Sequence, residues 1–280
     1  MKKSENAKLI YSKPGIRIYL IDDDTVYTEY SGAAESYSHD YYQSGYLDFR
    51  SLREALFSEV VNAAFLRGAS KEKTWLDYGS GCGIFLNVLE KHGYTGLSGI
   101  DPSCDACKIA SGITSADIIN RDPLEMPEQE IAPADVISVL DVIAHVPDPE
   151  KTLQWCFNHL KDDGMCVLKT PHRSPEYVEF CLRHFKNSPE FIVHLLHARY
   201  QKYSWSFDGI ARLFRKAGFQ QMECIPFHEM QETDYRFELP ELWHPRRFLY
   251  RSALRRSRKI QSCTSMLIFA RKNFLQNKAE

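Results

Sequence analysis

The stretch with the clearest chemical purpose is Asp77-Tyr78-Gly79-Ser80-Gly81-Cys82-Gly83, where three glycines alternate behind an acid. Glycine adopts left-handed backbone angles freely and carries no Cβ, so such a turn lets the main chain approach a ligand closely. Where the turn opens a helix, the unsatisfied N–H groups of the first helical turn and the positive end of the helix dipole face the same ligand. A polar or anionic ligand is expected. The dinucleotide spacing GxGxxG would need glycine at position 84, and the chain has Ile84, which disfavours a dehydrogenase. Two histidines, His145 and His172, follow two later apolar runs; an imidazole titrating near neutrality suits the removal of a proton from a hydroxyl. For both histidines a packing role in the loop stands as the alternative.

These residues need a scaffold, and the centre of the chain alternates short β-rich runs with helical ones, the rhythm of parallel βαβ units. Thr74 to Tyr78 reads as a strand ending in the glycine turn, and Ile84 to His92 as the helix it opens. Leu97 to Ile100 is a second strand, followed by a helix from Pro102 and Ser103 through Ala110, and Asp117 to Asn120 is a third strand. Asp135 to Leu140 is almost wholly apolar, as befits a strand buried on both faces. A helix begins at Pro149 and runs to Leu160, and Lys161 to Gly164 supplies a turn with a C-cap glycine before a strand at Met165 to Lys169. Ser206 to Ala217 is a helix closed by Gly218, and Gln221 to Ile225 and Ser265 to Arg271 are the last strands. The expected fold is α/β: a doubly wound, seven-stranded, mostly parallel sheet with an antiparallel last strand and helices on both faces. Residues 1–70 read as an N-terminal extension with a helix from Leu47 to Leu66, and residues 71–280 as the ligand-binding domain. Insertions at 171–204 and 227–263 follow strand ends, where substrate pockets and lids are built.

The D-x-G-x-G-x-G form resembles the first motif of class I S-adenosylmethionine (SAM) dependent methyltransferases. Leu140-Asp141-Val142-Ile143-Ala144-His145-Val146-Pro147-Asp148-Pro149 is similar to the strand-end loop of their small-molecule branch, with Ala144 where many members carry Glu. The resemblance covers roughly Lys73 to Ala217 and the last strand. It implies SAM as cofactor, held by Asp77, Gly79, Ser80, Gly81, Gly83, Asp101, Asp122, Leu140 and Asp141. Asp101, about 20 residues beyond the turn, would accept from both ribose hydroxyls, or else cap the helix that follows it. Asp122 would hold the adenine amino group, or else stand as a solvated loop aspartate. Tyr42 and Tyr46, in a tyrosine-rich segment, would close over the cofactor or acceptor, or anchor a helix to the core. The implied activity is methyl transfer to an oxygen, or less favourably a nitrogen, of a small-molecule metabolite.

Composition admits this and narrows the partners. The net charge of -2 calls for neither nucleic acid nor a membrane, and the start of the chain leads into no apolar signal segment, so a cytoplasmic location is expected. The eight cysteines are expected as free thiols, and Cys104-x-x-Cys107 lacks a second ligand pair, so no metal is expected. The run 246–259 carries seven cations without an acid, interleaved with Phe248, Leu249, Tyr250 and Leu254. It would suit an anionic membrane presenting a lipid-linked substrate, or phosphates. Against a nucleic-acid substrate, the fourth strand does not end in the Asn/Asp-Pro-Pro-aromatic motif used on base amines. A protein or RNA methyltransferase and a non-catalytic SAM-binding regulator remain as rival readings, and the oligomeric state is left open.

Overall fold

The computed structural model describes residues 7–31, 42, 46–127, 130–227 and 265–272. Its main element is a seven-stranded sheet built from β4 (Trp75–Tyr78), β5 (Leu97–Asp101), β6 (Asp117–Asn120), β7 (Ala134–Leu140), β8 (Leu160–Pro171), β10 (Gln221–Phe227) and β11 (Ser265–Arg271). The order is β10-β11-β8-β7-β4-β5-β6, with β11 antiparallel to both of its neighbours and the other pairings parallel. The chain steps outward from β4 through β5 to β6, then returns to place β7 on the other side of β4. That reversal leaves a crevice at the carboxyl ends of β4 and β7, the place where open α/β sheets bind ligands.

Helices cover both faces, as the sequence pattern predicts. On one face lie α1 (Arg50–Phe65), α2 (Ile84–Lys91) and α3 (Cys104–Ala110). Helix α1 buries Phe57, Val60, Val61 and Ala64, a helical i, i+3, i+4, i+7 stripe, against Phe85, Val88 and Leu89 of α2. The other face carries α4 (Pro149–His159) and α7 (Phe207–Lys216), packed through Leu153, Cys156, Ile210, Leu213 and Phe214. Asp148 and Ser206 cap these two helices by accepting from Lys151 N and Gly209 N.

Two details differ from the expectation. The turn at 161–164 lies inside β8, as an outward bulge opposite Asp135, and Asp163 rather than Gly164 takes the left-handed angle (φ 63°). Gly164 is needed for space instead, since a Cβ there would sit 2.8 Å from Lys161 O. The N-terminal segment holds more than a helix. Its strands β1 (Lys8–Lys13), β2 (Ile16–Asp22) and β3 (Thr25–Tyr30) form an antiparallel meander whose fourth strand is β9 (Tyr203–Trp205), from the far insertion. The insertion also supplies α5 (Pro175–Phe185) and α6 (Pro189–Leu195), and Val178, Cys181, Ile192 and Leu195 bury Ile16, Ile18 and Val26 in one cluster. N-terminus and insertion are thus one unit, pinned to the sheet domain where Asp24 accepts from Ser206 Oγ (2.6 Å) and Arg212.

Candidate functional site

At the end of β4 the chain makes the expected tight passage. Gly79, Gly81 and Gly83 have φ of 74°, 51° and 73°, and Gly83 is the N-cap of α2. A Cβ on Gly79 would stand 2.5 Å from Val142 Cγ2, and one on Gly83 would crowd Ala110 and Thr114 at 3.0 Å. Gly81 differs: nothing lies within 4 Å of a Cβ built there, so the turn faces open room at its centre. Ser80 is buried, and its Oγ has no hydrogen-bond partner among the described residues.

Asp101 ends β5 directly beside this room. Its Oδ2 accepts from Gly81 N at 2.9 Å and its Oδ1 from Ser103 N at 2.8 Å. Ser103 Oγ caps α3 by accepting from Ala106 N, so the carboxylate is not spent on capping that helix. Each carboxylate oxygen keeps acceptor capacity on the open side, an arrangement that fits a pair of vicinal hydroxyls. Burial raises the Asp101 pKa, and the two N–H bonds oppose the rise. Asp77 is buried beneath the turn, where the Ser138 hydroxyl donates to its Oδ1 at 2.5 Å. Burial pushes its carboxyl up to about 7, against the Ser138 hydrogen bond and helped by the Asp101 charge. A buried acid lacking a cation is costly as an anion, and a cationic ligand overhead would favour the charged form.

Asp122 is exposed and caps a short 3-10 turn through Leu124 N at 3.0 Å, one strand beyond Asp101. Leu140 closes β7 and packs toward the face that carries α1 and α2. Asp141 follows with φ 59°, and both its oxygens accept from Lys169 Nζ (2.8 and 2.6 Å), whose side chain is 3% exposed. Tyr42 is buried and meets Tyr46 edge to face at 6.2 Å. Burial raises the Tyr46 phenol to about 12, opposed by Arg53 and reinforced by Asp141, Cys82 and Asp77. Tyr46 packs against the apolar cluster that includes Cys82 of the glycine turn. Arg53 of α1 stacks on the Tyr46 ring at 3.8 Å, and its buried Nε has no partner among the described residues.

The two histidines part company. His145 Nδ1 stands 3.0 Å from Tyr200 O; a carbonyl only accepts, so Nδ1 holds the proton and Nε2 keeps its lone pair. Burial lowers its pKa, with Arg173 and Lys202 adding and Asp141 opposing. His172 is buried against Phe207 (4.3 Å between rings) and bridged to Trp205, at the junction of β9 and α7. Cys104 is exposed, and Cys107 is buried with its thiol donating to Asp101 O, so the CxxC is not a facing pair of thiols. Among the described residues no three His, Cys, Asp or Glu side chains converge to hold a metal, and no helix is long and apolar enough to cross a membrane. The basic run 246–259 lies outside the described residues. Sequence reasoning missed Ser138, Arg53, Lys169 and Arg173, none of which belongs to a local motif.

A doubly wound sheet with a glycine turn and an acid ending the next strand defines a nucleoside-binding α/β protein. A methyltransferase-domain family model matches residues 49–223, and the chain belongs to that family. It is similar to the ubiquinone biosynthesis O-methyltransferase of Psychrobacter arcticus, at 30% identity over 56% of this chain and 62% of the relative. The like-named protein of Pseudomonas fluorescens shows 31% over 53% and 61%. The chain thus spans about three fifths of the length of these curated relatives. Among solved structures, a SAM-dependent methyltransferase from Archaeoglobus fulgidus aligns with a TM-score of 0.54 at 17% identity, covering 81% of this chain and 98% of that one. The plantazolicin methyltransferase BpumL, solved with S-adenosylhomocysteine, aligns at 0.53 and 17%, covering 84% and 94%.

Proposed function

We propose that the protein transfers a methyl group from SAM to a hydroxyl oxygen of a small molecule. The observation that carries this is the Asp101 carboxylate, fixed between Gly81 N–H and Ser103 N–H beside the open space at Gly81. That geometry suits a ribose, as do the family and its neighbours. Asp77 lies beneath the cationic end of such a ligand, Ser80 Oγ gains a partner, and Asp122 waits one strand further for the adenine amino group. The Arg53 guanidinium, half-buried over Tyr46, is placed to meet the carboxylate of the methionine tail.

When bound, SAM would supply a methyl carbon made electrophilic by its sulfonium, with the thioether sulfur taking the electrons of the C–S bond as the acceptor oxygen gains the methyl. The protein orients the acceptor and removes its proton. His145 Nε2 takes that proton, because Tyr200 O fixes the ring with Nδ1 protonated and burial keeps the imidazole neutral. Asp141, held by Lys169, stabilises the imidazolium that results. His172, packed on Phe207, serves the scaffold in this account.

Incubation with methyl-labelled SAM and a panel of phenols and catechols tests the reading. Label is expected in a low-molecular-weight product, and Asp101→Ala abolishes it. Label confined to protein or RNA, or tight S-adenosylhomocysteine binding with no transfer to any fraction of a cell extract, would replace this reading with one of its rivals.

A further inference from the structure

The ring of His145 takes its orientation from outside its own loop. Tyr200 O, in the stretch between α6 and β9, lies 3.0 Å from Nδ1, so whatever places that stretch also places the imidazole. The same stretch grips the His145 loop on both sides of the histidine. Lys202 N and Tyr203 N donate to Ala144 O at 2.7 and 3.3 Å, and the Tyr203 hydroxyl donates to Pro147 O at 3.3 Å. Burial raises the Tyr203 phenol to about 12, so that hydroxyl keeps its proton at working pH.

Residues 200–205 are themselves held from the far end of the chain. Strand β3 pairs Thr25, Val26 and Tyr27 with Trp205, Ser204 and Tyr203, and just beyond that ladder Thr28 N donates to Lys202 O at 2.8 Å. The planar peptide joining Lys202 to Tyr203 therefore accepts from the meander on one edge and donates to Ala144 on the other. The Tyr203 ring lies 5.1 Å from that of Tyr27 and stacks on Trp205 at 5.6 Å. Asp24 closes the far end: its backbone O accepts from Ser206 N at 3.0 Å, and its carboxylate accepts from Ser206 Oγ and Arg212. A Cβ on Gly209 would stand 2.5 Å from Asp24 O, so the meander sits directly on α7. From the β8 side, Arg173 donates its backbone N–H to Trp205 O and its guanidinium to Leu196 O and the side chain of Gln201.

We propose that the N-terminal meander is a brace for the histidine that takes the acceptor's proton, with Tyr203 the positioning residue that carries the meander's placement to the His145 loop. This rests on the methyl-transfer reading above, which gives His145 its task. An imidazole that accepts a proton through Nε2 must keep its own proton on Nδ1, aimed at one acceptor. Strand β3 supplies that order by fixing β9, and β9 fixes the stretch that carries Tyr200 O. The charged and titratable groups facing His145 are Asp141 at the end of β7, Arg173 beyond β8, and His197 and Lys202 in the stretch before β9. None of them is changed by the substitutions that test the brace.

The test is nitrogen NMR of the ligand-free protein isotopically labelled at histidine, with the His145 signals assigned by their loss in His145→Gln. Wild type is expected to show a neutral ring protonated on Nδ1, with a pKa below the ordinary 6.5. Tyr203→Phe keeps the packed ring and removes the hydroxyl, while Asp24→Ala releases the meander from Ser206 and Arg212. Each is expected to lower the ratio of Nδ1-protonated to Nε2-protonated rings about fivefold, the worth of one hydrogen bond, and to move the pKa up toward 6.5 as burial relaxes. Should Asp24→Ala not fold, Asp24→Asn, which still accepts from Ser206, takes its place. A wild-type ring protonated on Nε2, or a tautomer ratio and pKa left unchanged by either variant, would overturn the proposal. Neither SAM nor an acceptor enters the measurement, so absence of methyl transfer by the wild type would bring down the methyl-transfer reading alone.

Discussion

Replacing Asp77 by Asn removes a carboxyl that the ligand-free protein ionises only at a cost. Burial moves its pKa from the ordinary 3.8 to about 7. A group whose folded pKa is raised contributes stability below its unfolded pKa and loses it as pH rises to the folded value, here from about 4 to 7. At 1.36 kcal/mol per pH unit that loss comes to about 4 kcal/mol. The Asn amide accepts the Ser138 hydroxyl equally well, but its NH2 group brings donors to a buried spot and forfeits about 1–3 kcal/mol of the gain. Asp77→Asn is therefore expected to be no more stable than wild type at pH 4 and more stable by about 1–3 kcal/mol at pH 8. Urea unfolding of the two ligand-free proteins at both pH values reads this difference. The comparison cancels His145 and His197, whose lowered pKa values act in the opposite sense. Cofactor binding should show the reverse: a cation above Asp77 restores its charge, so wild type releases about half a proton on binding SAM at pH 7, visible in buffers of different ionisation enthalpy. Asp77→Asn releases none and binds more weakly. A stability difference identical at pH 4 and pH 8 would refute the reasoning.

Gly79→Ala meets Val142 at 2.5 Å with φ at 74°, so it loses fold stability by more than the roughly 1–2 kcal/mol of left-handed strain, whereas Gly81→Ala, at φ 51° but facing open space, loses only that strain in stability and also loses cofactor affinity; thermal unfolding and SAM titration separate the two. His145→Gln lowers kcat about 100-fold with KM for SAM unchanged. Because burial lowers the His145 pKa, the wild-type rate holds as pH falls through the usual histidine range and drops only below it, as a pH-rate profile would show. Arg53→Gln raises the KM for SAM about tenfold at unchanged kcat, by loss of one charge-assisted hydrogen bond.

The sheet domain was legible because its signals are local. Each βα unit carries its own alternation of apolar runs, and Asp148-Pro149 and Ser206 announce their helices by capping chemistry. The glycine spacing at 79, 81 and 83 marked a tight strand-to-helix turn, and the chain makes that turn there with all three glycines left-handed. The hairpins of β1, β2 and β3 are local and were overlooked, whereas the pairing of β3 with Tyr203–Trp205, about 180 residues on, is one that no short-range pattern encodes. Lys169 escaped for a related reason: within Met165–Lys169 it reads as a strand end, and only the β7–β8 register brings it against Asp141. His145 and Tyr200 become neighbours only when the insertion folds back on the β7 loop.

The central claim is that the glycine turn and Asp101 together hold SAM. Isothermal titration of SAM into the wild-type protein and into Asp101→Ala tests it directly. One binding site in the wild type, weakened at least about tenfold in the variant by loss of the ribose hydrogen bonds, is the predicted result. No binding to the wild type, or equal affinity in the two proteins, would contradict it.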